Sequence, residues 1–216
     1  MHFVSGVGWM GTTGWGRLRA GQTERWSARE METALARAPG GREIRNYGRF
    51  TRHTCLILHA LALALQDAGL SGPPDCGPQG GGLIGSGELG THTANLEYFR
   101  DFCANGRVMA RGNLFLYTLP TSPLAEAALV HQLRGPLFWL GTASTAGALD
   151  RALSAAADIL AGGAASTMFV CHGQPDRVVL YAVGGVSAGG WPLSSVMDAA
   201  RSAQASGGYP ERLMVQ

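Results

Sequence analysis

The stretch that decides the reading is Gly135-Pro136-Leu137-Phe138-Trp139-Leu140-Gly141-Thr142-Ala143-Ser144-Thr145-Ala146-Gly147, followed by an alanine- and leucine-rich run from Ala148 to Leu160. A short apolar strand enters a turn of small residues, and a helix leaves it. A hydroxyl side chain at that corner forms a nucleophile elbow. It places Ser144 at a helix N-terminus, where unpaired backbone N–H groups and the helix dipole stabilise negative charge. The flanking residues are Thr142 and Ala146, so the Gly-x-Ser-x-Gly pattern of a hydrolase elbow is absent. Ser is also a preferred helix cap, which is the plain structural role for Ser144.

Working outward, strands and helices alternate. His2–Gly8 is an apolar strand, and 11–22 is expected to be loop. Ser27 with Glu30 three residues on is a capping box opening a helix to Arg37, which Pro39-Gly40-Gly41 stops. Phe50–Leu70 is apolar on nearly all faces, the pattern of a buried helix. Residues 71–80 form a Pro/Gly linker, 81–86 a strand ending in Gly85-Ser86-Gly87, and 91–105 a helix. Residues 113–118 are expected to be extended, and Pro120 and Pro123 introduce a helix from Leu124 to Leu133. After the elbow helix, Thr167–Cys171 and Val178–Val183 flank Gln174-Pro175-Asp176 as a hairpin. One helix is expected near 194–204 in an otherwise Gly/Ser-rich tail. The alternation predicts an α/β fold, a mixed sheet of about five strands with helices on both faces. Residues 1–184 form the domain and 185–216 an extension suited to wrapping a partner.

Composition narrows the classes. Of 216 residues, 46% are hydrophobic and 15% charged, which suits a surface partly covered by a partner. The net charge of +2 gives no ground for nucleic-acid binding. Every basic residue is arginine, and Arg37, Arg42, Arg45, Arg49 and Arg52 cluster with a single acid, Glu43, among them. Such a patch suits an acidic partner or a phosphate, or a solvated helix flank. Cys55, Cys76, Cys103 and Cys171 are scattered without a CxxC pair, so no metal or other cofactor is expected. Scattered cysteines and no targeting segment fit the cytoplasm. The longest apolar run, 55–65, is too short to span a bilayer.

Six segments in order resemble β-ketoacyl synthases of the thiolase-like superfamily. They are Val4-Ser5-Gly6-Val7-Gly8, the 60–70 run ending Gln66-Asp67-Ala68-Gly69-Leu70, Gly85-Ser86-Gly87, the run from Leu119 to Pro136, the Thr142–Gly147 elbow, and 152–164. Together they cover 2 to 184 and imply the N-terminal half of a thiolase-like fold. Ser144 stands where the family has cysteine. A serine hydroxyl needs an adjacent base that a low-pKa thiolate does not. The family's two catalytic histidines and a second oxyanion donor lie in a C-terminal half, whereas this chain closes at Gln216. The setting of His172, Cys171-His172-Gly173, matches neither histidine motif.

The resemblance therefore implies a non-catalytic subunit similar to a chain-length factor. It would pair with a full-length ketosynthase and shape the acyl tunnel in type II fatty-acid, polyketide or aryl-polyene-like biosynthesis. It places Glu88 and Leu89 at the helix flooring the acyl pocket, Leu114, Phe115, Leu116 and Tyr117 in the segment reaching the partner's tunnel, and Phe138, Trp139 and Leu140 in the strand pairing across the dimer. An acidic acyl carrier protein would meet Arg42, Arg45, Arg49 and Arg52. Two alternatives stay open. One is a small acyltransferase or thioesterase using Ser144, with His131 or His172 as base; the other is a homodimeric module binding acyl groups or carrier protein. His53, His59 and His92 are expected to be ordinary core or surface histidines.

Overall fold

The computed structural model describes residues 2–41, 43–70, 80–88, 91–106, 111–141, 147–174, 177–184 and 190–206. One mixed sheet runs through it. Its strands are β1 (Phe3–Gly11), β2 (Gly14–Arg17), β3 (Gln22–Arg25), β4 (Gly81–Gly87), β5 (Leu137–Leu140), β6 (Thr167–Gln174), β7 (Arg177–Gly184) and β8 (Trp191–Pro192). The order is β3-β2-β1-β7-β6-β4-β5, with β8 on β1. The path β1-β7-β6-β4-β5 supplies the five strands the sequence leads one to expect. β4 is parallel to both β5 and β6, and β7 is antiparallel to β6 and β1.

The helices are α1 (Ala28–Leu35), α2 (Arg52–Asp67), α3 (Thr91–Ala104), α4 (Gly112–Leu116), α5 (Ser122–Val130), α6 (Ala148–Ala161) and α7 (Leu193–Ser206). Side chains alternate across the sheet, so each strand feeds two cores. Leu83, Phe169, Cys171, Val178 and Leu180 pack with α1, α2 and α5 on one face. Ile84, Met168, Val170, Val179 and Tyr181 pack with α6 and α7 on the other.

Local chemistry accounts for the elements. The Ser27 capping box forms: Ser27 Oγ accepts from Glu30 N–H at 3.3 Å and the Glu30 carboxylate accepts the Ser27 N–H at 2.7 Å. The same bonds hold the Glu30 carboxyl below its usual range. α2 has the buried character its composition predicts, with Ile57, Leu58, Ala60, Leu61 and Ala64 fully covered. It lies directly on the backbone of β1. A Cβ at Gly6 or Gly8 would come within 2.3 Å of the main chain of Ala68 or Ala64, so this approach needs glycine. Asp67, in the last turn of α2, is buried and accepts backbone N–H groups from Val7, Arg19 and Ala20 at 2.8–2.9 Å.

Two stretches differ from expectation. Within 11–22, β2 pairs with β1 and β3 in place of a loop. Its glycines permit close packing: a Cβ at Gly16 would lie 2.6 Å from the Trp9 ring. Residues 112–116 form the short helix α4, not an extended segment. Leu, Phe and Leu are unbranched at Cβ and tolerate helix. The Phe115 ring rests against Tyr98 of α3, with centroids 5.6 Å apart.

Candidate functional site

The parallel strands β4, β5 and β6 end together. Register pairs Ser86 with Leu140 and with His172, and Gly87 with Gly173. In open α/β sheets the carboxyl ends of parallel strands are where ligands bind. α6 starts beyond β5, capped by Gly147 at φ 68°. The elbow residues 142–146, Ser144 among them, lie outside the described residues.

Ser86 and His172 project from the face of the sheet that carries α6, one strand position beyond Ile84 and Val170 in the alternation. Ser86 is fully buried, and its Oγ lies 3.1 Å from His172 Nδ1 and 3.4 Å from the Cys171 carbonyl oxygen. Burial, reinforced by the Arg177 guanidinium, pushes the His172 pKa down to about 4. The ring is therefore neutral at physiological pH. Arg177 is itself buried and stacks 4.4 Å from the Trp9 ring. At Gly87 the chain turns with φ 71° hard against this pair. The Glu88 N–H donates to the Gly173 carbonyl at 3.0 Å, fixing Glu88 at the end of β4, ahead of α3. Leu89 falls outside the described residues.

The opposite face carries other histidines. α2 runs antiparallel to β1, with Gly6 against Ala68 and Gly8 against Ala64, which brings its N-terminus to the same end of the sheet. His53 there has a buried Nε2 without a hydrogen-bond partner among the described residues. Burial lowers its pKa, and the Glu88 charge opposes that. His59 lies 3.0 Å from the Arg37 carbonyl and 3.2 Å from the Tyr47 hydroxyl. His131 is buried against Leu58 O at 3.3 Å, in the α2 layer and across the sheet from α6. Of the two histidines considered as a base for Ser144, His172 alone is on the α6 side. Nothing in the sequence brings Ser86 and His172 together; the register of β4 on β6 does.

The expected contact residues fall into three groups. Leu137–Leu140, with Phe138, Trp139 and Leu140, form β5 at the sheet edge, each residue half-buried. In 114–117, Leu114 is half-buried, Phe115 and Leu116 are exposed, and Tyr117 turns into the core. Burial, with the Glu126 charge, pushes the Tyr117 phenol up to about 12. Arg45, Arg49 and Arg52 are exposed, whereas Arg42 lies outside the described residues. Arg52 makes a loose ion pair with Glu32 at 3.8 Å beside a cavity of about 280 Å³ lined by Tyr47, Phe50 and Cys55. Among the described residues, no group of three His, Cys, Asp or Glu could hold a metal, and no helix is long and apolar enough to cross a membrane.

No protein-family model matches the chain, and no curated protein sequence matches it. Solved structures do match. The ishigamide ketosynthase/chain length factor aligns over 96% of this chain and 74% of its own, with TM-score 0.57 and 16% identity. A β-ketoacyl synthase from Burkholderia phymatum STM815 aligns over 96% of this chain and 61% of its own, with TM-score 0.55 and 14% identity. A type II PKS acyl-carrier protein in complex with its ketosynthase bound to the hexaketide aligns over 85% of this chain and 62% of that one, with TM-score 0.58 and 12% identity. The chain thus spans about three fifths to three quarters of each of these chains. The mixed sheet, its two helical layers and these alignments give the chain the thiolase-type fold of ketosynthases and chain length factors.

Proposed function

We propose that the chain is a non-catalytic ketosynthase-like subunit, similar to a chain-length factor, that pairs with a full-length β-ketoacyl synthase and shapes the tunnel for a growing acyl chain. The observation that carries this reading is apolar surface that nothing covers among the described residues. β5 is an edge strand of four apolar residues, none fully buried. Leu96, Phe99, Phe115, Leu116, Leu119 and Leu129 of α3, α4, α5 and the turn between the last two are exposed. Open apolar edges and patches of this kind invite aggregation unless a partner covers them. The serine at the nucleophile position and the fold shared with ketosynthase/chain length factor structures support the same reading. Under it the partner supplies the cysteine, the histidines and the condensation chemistry, in a type II fatty-acid, polyketide or aryl-polyene-like pathway of the cytoplasm. An acidic acyl carrier protein approaches over Arg42, Arg45, Arg49 and Arg52.

Ser144→Ala in the assembled complex tests it. Product formation stays intact if the subunit is non-catalytic, while larger side chains at Leu114 or Leu116 change product chain length. A second reading, in which Ser144 takes up an acyl group, is favoured by one observation, the neutral His172 on the α6 side of the sheet. Loss of turnover in Ser144→Ala with the complex still assembled selects that reading.

A further inference from the structure

Polar side chains withdrawn from water are costly unless paired, and β4 and β6 bring the buried Ser86 and the half-buried His172 to the same point. The main-chain ladder already sets Ser86 opposite His172, so the side-chain bond adds orientation of the imidazole. Counting protons settles which way it points. The Ser86 hydroxyl has one hydrogen and two neighbours, Nδ1 at 3.1 Å and the Cys171 carbonyl at 3.4 Å. With the proton on Nδ1, the ring donates to Oγ and the hydroxyl donates onward to the carbonyl, so both bonds form. With the proton on Nε2, the hydroxyl must donate to Nδ1 and the carbonyl bond is lost. The first arrangement makes more bonds, and it leaves a bare lone pair on Nε2. Nε2 has no hydrogen-bond partner among the described residues. On the other flank, the Gly87 turn sits against the ring, a Cβ there falling 3.0 Å from Cε1.

We propose that His172, held by Ser86 as a positioning residue, is a hydrogen-bond acceptor for a neutral N–H or O–H group of a ligand at the carboxyl ends of β4 and β6. The ligand is an acyl thioester, which rests on the tunnel-shaping reading above. Its available donors are the amide of a pantetheine-type arm and a hydroxyl on a partly reduced chain. A neutral ring beside the Arg177 guanidinium suits either donor and is unsuited to a cationic ligand.

Long-range ¹H–¹⁵N NMR on the full chain tests this, with His172→Phe identifying the resonances. The free protein at pH 7 shows a protonated Nδ1 and an unprotonated Nε2, and Ser86→Ala shifts the ring toward the Nε2–H tautomer. Three probes follow: hexanoyl-N-acetylcysteamine, its N-methyl amide, and the 3-hydroxyhexanoyl form of that N-methyl amide. Saturable upfield movement of Nε2 with the first alone identifies the arm as donor; movement with the third but not the second identifies the chain hydroxyl. His172→Phe weakens the active probe about fivefold, the worth of one neutral hydrogen bond. A protonated Nε2 in the free protein, a tautomer unchanged in Ser86→Ala, or an Nε2 resonance that no donor moves overturns the proposal. The tautomer is read without partner or ligand, so its outcome is separate from whether the chain pairs with a ketosynthase.

Discussion

Phe138 of β5 pairs with Ile84 of β4, and no strand lies on its other side among the described residues. Among the described residues, the sheet therefore ends on an apolar edge strand with one side open. The opposite edge, β3, has the sequence Gln22-Thr23-Glu24-Arg25 and is polar and mostly exposed, the usual protection against unwanted pairing. One border is guarded and the other is open among the described residues, and α5, with its exposed Leu129, packs beside the open one.

That asymmetry predicts which substitutions separate assembly from folding. Leu129 is 73% exposed and Phe115 53% exposed, so Leu129→Glu changes the chain's own stability by no more than about 0.5 kcal/mol, and Phe115→Glu by about 1 kcal/mol because it also loses the Tyr98 ring contact. Both weaken the complex with a ketosynthase at least tenfold. Thermal melts of the isolated chain and titration of the complex measure the two effects separately.

Asp67 ties two segments, β1 and the β2–β3 turn, to α2 through the N–H groups of Val7, Arg19 and Ala20. Asp67→Ala strands those donors, and denaturant unfolding is expected to show a loss of about 3 kcal/mol or more.

Gly87 and Gly21 make a matched pair. Both have positive φ, but a Cβ at Gly21 meets nothing within 4 Å, whereas at Gly87 it falls 2.3 Å from the Gly173 carbonyl oxygen. Gly21→Ala costs about 1 kcal/mol for the backbone alone. Gly87→Ala costs more than twice that and perturbs the His172 resonances, because the clash adds to the strain.

His172 also sets an acid limit. Its pKa in the folded state, about 4, lies below the value near 6.5 of an exposed histidine. Between these values the unfolded chain binds the proton first, so stability is complete above pH 6.5 and falls as pH drops toward 4. The loss from this residue is of the order of 3 kcal/mol. His53 and His59, lowered by burial, act in the same direction. His172→Phe flattens the slope of unfolding free energy against pH in this window.

Much of the fold was legible because single segments carried it. α2 is apolar all round, Ser27 and Glu30 form their box, and two apolar strands pair as a β6–β7 hairpin whose last register pair is Gln174 with Arg177. The misread segments depend on distant partners. β2 looks like loop until Trp9 is seen to need the space at Gly16, and α4 is set by Tyr98. The site was half legible. The β5 edge is written locally, but Ser86 and His172 meet only through strand register, and the elbow residues 142–146 lie outside the described residues. The signal available was a polar residue near the carboxyl end of each of two apolar strands.

The central claim is the pairing of this chain with a ketosynthase, and the mass of the complex purified after co-expression with a full-length β-ketoacyl synthase tests it most directly. The account predicts a 1:1 heterodimer that dissociates in Leu129→Glu. A monomer or homodimer of this chain beside an undisturbed ketosynthase dimer contradicts it.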